Sequence, residues 1–173
     1  VTTMDLSLIF QIISNLSIIL GILFGLLNLR NFRAMRKRES TILMLNSFQT
    51  SEFVRGLLLI LNLPDDMDNT YIDNLPKDEY LAIYMVVGTW ERLGILVFRR
   101  EVDLDLFDDA YSGPVIQSWQ KLESYIRDFR ARLDRVTAFE WFQWLAERMM
   151  EREEDGKPIP AYEAYRDWKY TDK

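Results

Sequence analysis

The sequence contains no cysteine and no histidine. Without cysteine there is no disulfide framework, a composition that suits a reducing compartment. Without both residues, zinc sites built from thiolate and imidazole are excluded. So are Cys–His and Ser–His–Asp nucleophile systems and haem held by histidine. Any catalysis would have to rest on carboxylates, lysine, tyrosine or arginine. Period-two alternation long enough for a strand is also missing, and no internal repeat stands out. A more local absence organises the chain: residues 6–29 carry no charged side chain at all.

As an α-helix those residues reach roughly 36 Å, against about 30 Å for the hydrocarbon core of a bilayer. Leu16, Ile18, Ile19, Leu20, Ile22, Leu23, Leu26 and Leu27 make the stretch strongly apolar. Asp5 precedes it, and Arg30, Arg33, Arg36, Lys37 and Arg38 follow it. A secretory signal has the opposite order, with the basic segment first, a shorter apolar run and a small-residue cleavage site. A buried core helix rarely stays uncharged for so long. The stretch therefore predicts a single transmembrane helix. Positive residues beside a span stay cytoplasmic, which places the N-terminus outside and the remainder in the cytoplasm of a cell with an inner membrane. The same five cations are placed to meet anionic lipid headgroups, at about 1 kcal/mol each.

Within the span, Ser14, Ser17, Gly21, Gly25 and Asn28 recur at three- and four-residue steps. Small residues at this spacing let helix backbones approach closely in lipid. They form the candidate packing face for another transmembrane helix.

Four segments follow: a transmembrane anchor at 1–29, a basic collar at 30–38, a helical domain at 39–154 and an aromatic tail at 155–173. The whole chain carries −6, and residues 1–38 carry +4, so residues 39–173 carry −10. Nucleic acid is a poor partner for so acidic a domain. After the collar the helix either continues or restarts near Ser40 or Thr41. Residues 42–63 then read as a helix closed by Pro64; within it, residues 53–63 are too short for a second span and contain Arg55. Residues 64–76 read as a solvated loop rich in Asp and Asn. Tyr80, Ile83, Tyr84, Val87, Trp90, Gly94 and Val97 mark the buried face of a helix over 77–98. Glu101, Asp103, Asp105, Asp108 and Asp109 could suggest a metal, but Asp103 fits an N-cap and Asp105 a first helical turn, so no metal site is expected.

Ser112, Gly113 and Pro114 predict a break and a fresh helix. Val115, Trp119, Leu122, Ile126, Phe129, Leu133 and Val136 form its seam. Thr137 and Glu140 match a capping box that starts the next helix at Ala138. That helix carries Phe139, Trp141, Phe142 and Trp144, which cover more than one face. Regular structure is expected to end at 155–160. The tail beyond holds Tyr162, Tyr165, Trp168 and Tyr170. Trp141, Trp144, Tyr162, Tyr165 and Trp168 are the candidate docking residues for a partner or the bilayer interface.

The sequence resembles a bacterial family of membrane-anchored, all-helical proteins catalogued as a domain of unknown function, number 4760. The likeness rests on Trp90-Glu91-Arg92-Leu93-Gly94, on Val102-Asp103-Leu104-Asp105-Leu106, on Trp119, and on residues 127–132. It continues through Phe139-Glu140-Trp141-Phe142 and Leu145. The resemblance implies an anchored helical fold and brings no catalytic residues.

The expected fold is all-α: one span, then a cytoplasmic bundle of four to five helices. The expected role is a non-catalytic accessory or scaffolding subunit of a larger membrane complex, for which photosynthetic and respiratory assemblies are candidate hosts. Its partners are then the lipid bilayer and other transmembrane subunits. The alternative is a self-associating signalling or sensing module, a homodimer through Gly21 and Gly25. An enzyme would have to draw on Glu91, Glu140 or the acidic segment. No cofactor is expected.

Overall fold

A computed structural model describes residues 6–48, 50–65, 67, 70–154 and 159–169. Asp5 and Tyr170, and the side chains of Arg33, Lys37 and Ser40, lie outside the described residues. The described elements are helical throughout: α1 Leu6–Ser47, α2 Ser51–Leu61, α3 Lys77–Phe98, α4 Leu104–Leu133, α5 Glu140–Glu154 and the one-turn α6 Ala161–Ala164. The expected all-α class is what the chain adopts.

The first helix is longer than the span alone requires. Its 42 residues correspond to about 63 Å. No glycine or proline lies between Gly25 and Ser47, so nothing in the collar interrupts the hydrogen-bond ladder. Of the two options after the collar, continuation is the one realised. The segment Leu8–Phe32 is long and apolar enough to cross a membrane, and none of it is buried against the protein.

The expected helix over 42–63 is divided. Thr50 caps a new helix by accepting the Phe53 N–H at 3.2 Å. Local capping outcompetes helix continuation here, because a Thr hydroxyl satisfies a donor that the first turn leaves open. The last turn of α1 is thereby built into the bundle. Phe48 stacks on Phe53 at 5.2 Å and meets Trp90 and Tyr111 edge-on at 5.6 and 4.9 Å. Thr41 is fully buried, and its Oγ1 accepts the Asp103 N–H at 2.8 Å.

Helices α2, α3, α5 and α4 form a closed ring in that order, each packed on two neighbours. The core between them holds Ile60, Val86, Trp90, Leu93, Phe107, Leu122, Phe142, Leu145 and Met149. Helix α3 also passes a span test of length and hydropathy. Its apolar content is consumed differently, since Ile83, Val86, Trp90, Leu93 and Val97 are buried in this core. The expected face of α3 is rotated slightly: Ala82, Val86 and Leu93 are buried, whereas Tyr84 is 48% exposed.

Three further expectations are corrected. First, Ser112, Gly113 and Pro114 do not break the chain; Pro114 lies inside α4. A proline there removes the bond to the Ala110 carbonyl. Ala110 is on the exposed side, where water can take the bond, and buried Phe107 and Val115 hold the helix on both sides of it. Second, the seam of α4 ends early. Tyr125 joins it, but Leu133 and Val136 are 55% and 81% exposed. The helix stops at Asp134, whose φ of 49° places it in the left-handed region. Third, α5 begins at Glu140 rather than Ala138, because Phe139 has φ of 55° and cannot continue a helix. The loop over 64–76 is partly structured: a 3-10 turn at Ile72–Asn74 buries Ile72, and Asp73 binds Tyr125 and Arg132. The predicted Asp103 N-cap is present, accepting the Leu106 N–H at 3.2 Å.

If α4 is one helix, Pro114 is a cost within it. Pro114→Ala should stabilise the bundle by about 1–3 kcal/mol. Chemical denaturation of the full chain in detergent measures this. An unchanged or lowered midpoint would argue that the chain turns at that point after all.

Candidate functional site

The loop before α5 leaves the first N–H groups of that helix without their own cap. Among the described residues, the expected Thr137 cap is not made. The carboxylate comes instead from another helix. Glu91, on α3, accepts the Phe142 N–H at 2.7 Å and also faces the Trp141 N–H. A negative group at a helix N-terminus is favoured by the open donors and by the dipole.

The other side of the same turn is held by α4. Arg130 donates through Nε to the Ala138 carbonyl at 2.7 Å and through Nη2 to the Phe139 carbonyl at 3.2 Å. Its Nη1 reaches Gln143 Oε1 at 2.7 Å. The backbone of α5 comes so close to α3 that a Cβ at Gly94 would collide with the Trp141 carbonyl. Three helices therefore meet at one joint, with a glycine providing the clearance.

Burial raises the Glu91 carboxyl above its ordinary value; the Phe142 and Trp141 N–H groups oppose that, Glu140 adds to it, and Arg130 counters it. Asp73 goes the other way. Its partial burial would raise it, but bonds from Arg132 and Tyr125 hold it below the usual carboxylate range. Glu140 is exposed and stands apart from Glu91's bonding. Asp105 and Asp108 both pair with Arg152, at 2.9 and 2.8 Å. Among the described residues no group of three metal-ligating side chains converges.

The residues singled out from the sequence fall into separate places. Ser14, Ser17, Gly21, Gly25 and Asn28 lie along one face of α1, all exposed, and a Cβ at Gly21 or Gly25 would meet nothing within 4 Å. The Ser17 hydroxyl donates to the Ile13 carbonyl at 2.9 Å, a local bond that hides its polarity in an apolar setting. Arg30, Arg36 and Arg38 are exposed, and the Arg36 guanidinium lies 4.8 Å from the centre of the Phe32 ring. Trp141 and Trp144 are half-buried against Phe98, at 5.0 and 5.8 Å. Tyr162, Tyr165 and Trp168 are 67–73% exposed. Trp141 and Trp144 thus pack into the bundle, whereas the three tail residues are largely exposed.

A match to the family described as Domain of unknown function (DUF4760) covers residues 15–149. The chain belongs to this family. No curated protein and no solved structure matches it. The DUF4760 match enters within the apolar part of α1 and ends near the middle of α5, leaving the tail outside. Three of the five motifs that carried the resemblance, separated in sequence, meet at the joint. Glu91 and Gly94 come from the first, Arg130 from the fourth, and Phe139, Trp141 and Phe142 from the last.

In the sequence Glu91 stands beside the buried face of the 77–98 helix, and Arg130 alternates with acidic residues as on an ordinary solvated helix flank. Their common target is not legible there, because a cap supplied from another helix leaves no local spacing. The one available signal was a polar carboxylate one residue from Trp90 in an otherwise apolar stripe.

Removing this carboxylate should strand two partly buried N–H groups. Glu91→Ala is expected to cost about 2 kcal/mol, read by chemical denaturation. The folded chain holds the Glu91 proton more tightly than the unfolded chain. Glu91's contribution to stability should therefore fall as pH rises from 4.5, the ordinary value, through the raised one. Glu91→Gln keeps an acceptor and should flatten that part of the pH profile. An unaltered profile would contradict the assignment.

Proposed function

We propose that this DUF4760 chain is a membrane-anchored, non-catalytic accessory or scaffolding subunit of a larger assembly in the cytoplasmic membrane. Its N-terminus lies outside and its acidic bundle in the cytoplasm. The observation that carries this reading is the continuity of α1. One helix passes from a bare apolar stretch, Leu8–Phe32, to a buried seat at Thr41 and Phe48. A tether would need only a span and a linker. A helix fixed at its inner end gives the bundle a set orientation to whatever packs against the span.

The open Gly21 and Gly25 face supports a second transmembrane helix as that neighbour, since close backbone approach is what such faces permit. The orientation follows from Arg30, Arg36 and Arg38 on the bundle side. The carboxylates considered for catalysis have structural roles: Glu91 caps α5, and Asp103 caps α4. No reaction is assigned to them.

A second reading uses the same glycine face for a homodimer, as in a self-associating sensing module. Solubilising native membranes in mild detergent tests the first. The chain is expected to migrate in an assembly well above its own 20.6 kDa plus micelle; migration alone would refute it. Gly21→Ile with Gly25→Ile separates the two readings by crosslinking. Loss of a heterologous partner is the expected result, and loss of a homodimer alone would favour self-association.

A further inference from the structure

Helix α5, which the aromatic tail follows in sequence, ends on the side of the bundle that meets α1. Thr41 is bonded to Asp103, the N-cap of α4, and Asp105 and Asp108 in the next turns of α4 hold Arg152 near the end of α5. The last turn of α5 is therefore tied to the same end of the bundle that receives α1. Phe98, the final residue of α3, is there too. It lines with Arg100, Leu104, Trp144, Arg148 and Arg152 a cleft of about 460 Å³. Phe98 is 57% exposed, and Arg99 and Arg100 beside it are exposed.

Distances decide whether this end can reach lipid. Thr41 is nine residues beyond Phe32, or about 14 Å along the helix. The headgroup layer occupies about 5–8 Å of that. A gap of about 6–9 Å is left between seat and headgroups for an upright helix. Ile159 follows Glu154 by five residues, a reach of up to about 17 Å. The tail is long enough to close the gap.

Its composition fits the layer it would reach. Ile159, Tyr162, Tyr165 and Trp168 are all at least 65% exposed. Tyr and Trp have apolar rings with a polar tip and concentrate where hydrocarbon meets headgroups. Glu163, Arg166, Asp167 and Lys169 cancel, so residues 159–169 carry no net charge. The acidic bundle therefore gives this segment no electrostatic reason to fold back. Arg99 and Arg100 supply the positive charge that an anionic leaflet attracts.

We propose that residues 159–169, with Phe98, Arg99 and Arg100, form a second membrane contact that lies in the headgroup interface of the bilayer crossed by α1. This rests on the reading of α1 as a span, and the experiment reports on each separately. The chain has no cysteine, so Ala164→Cys and, in a separate protein, Leu20→Cys each give a unique spin-label site. The full chain is reconstituted in vesicles of phosphatidylcholine and phosphatidylglycerol, and collision with oxygen and with a water-soluble nickel chelate is measured.

Both labels should favour oxygen several-fold over the same label in water. Adding Tyr162→Ser, Tyr165→Ser and Trp168→Ser should move the label at 164 into water and leave the label at 20 unchanged. A label at 164 open to nickel while the label at 20 is in lipid would overturn this inference and leave the span standing. A label at 164 shielded from both reagents would place the tail on protein, its own bundle or a second copy, and would also overturn it. A label at 20 open to nickel would overturn the span and this contact together.

Discussion

Phe48 is where the apolar rod and the bundle become one body. Its ring fills the space between Phe53, Trp90 and Tyr111, and Phe53 and Trp90 themselves meet at 5.3 Å. Trp90 is fully buried, and its indole N–H has no hydrogen-bond partner among the described residues. Ring packing, rather than a polar bond, holds this seat. Offset and edge-on aromatic pairs contribute about 0.5–1.5 kcal/mol each beyond the area they bury. Three such pairs around Phe48 offset a large part of the backbone entropy lost in ordering the last turn of α1, about 1–2 kcal/mol per residue, and burial of the ring adds to them. The Thr41 bond to Asp103 then fixes rotation about the helix axis, since it is directional where the rings are not.

The joint formed by Glu91, Arg130 and the start of α5 performs the same task on the far side of Trp90. Glu91 follows Trp90 in sequence, so α3 faces the α1 seat with one residue and the α5 cap with the next. Gly94 allows the two backbones to touch. The residues that carry the resemblance to DUF4760 therefore include those that join α3, α4 and α5. These residues hold the bundle together, while the apolar part of α1 and the tail are left exposed.

Much of this was legible in the residues. The uncharged run, the helix over 77–98 and the Asp103 cap follow from hydropathy, periodicity and a single side-chain oxygen. These are local features, and local features survive folding when nothing nearby competes. What failed was punctuation. Pro114 reads as a stop, yet buried neighbours on both sides keep α4 intact. Thr137 and Glu140 read as a cap, yet a carboxylate from α3 occupies the role. Conversely, nothing apart from Thr50 marks the break after Ser47, where the new cap and the pull of Phe48 into the core combine. Each miss is a case of tertiary contact overriding a signal of a few residues. The apolar stretch of α1 is a different case, since among the described residues none buries Leu8–Phe32.

The central claim is that α1 is helical without interruption from the apolar stretch to the seat of Phe48. Amide hydrogen exchange across residues 33–47, in the full chain held in lipid nanodiscs, tests it most directly. A continuous helix seated at its inner end predicts protection throughout that segment, rising toward Thr41 and beyond. Rapid exchange between Arg33 and Ser40, with protection only on either side, would show a linker in place of a rod and contradict the account.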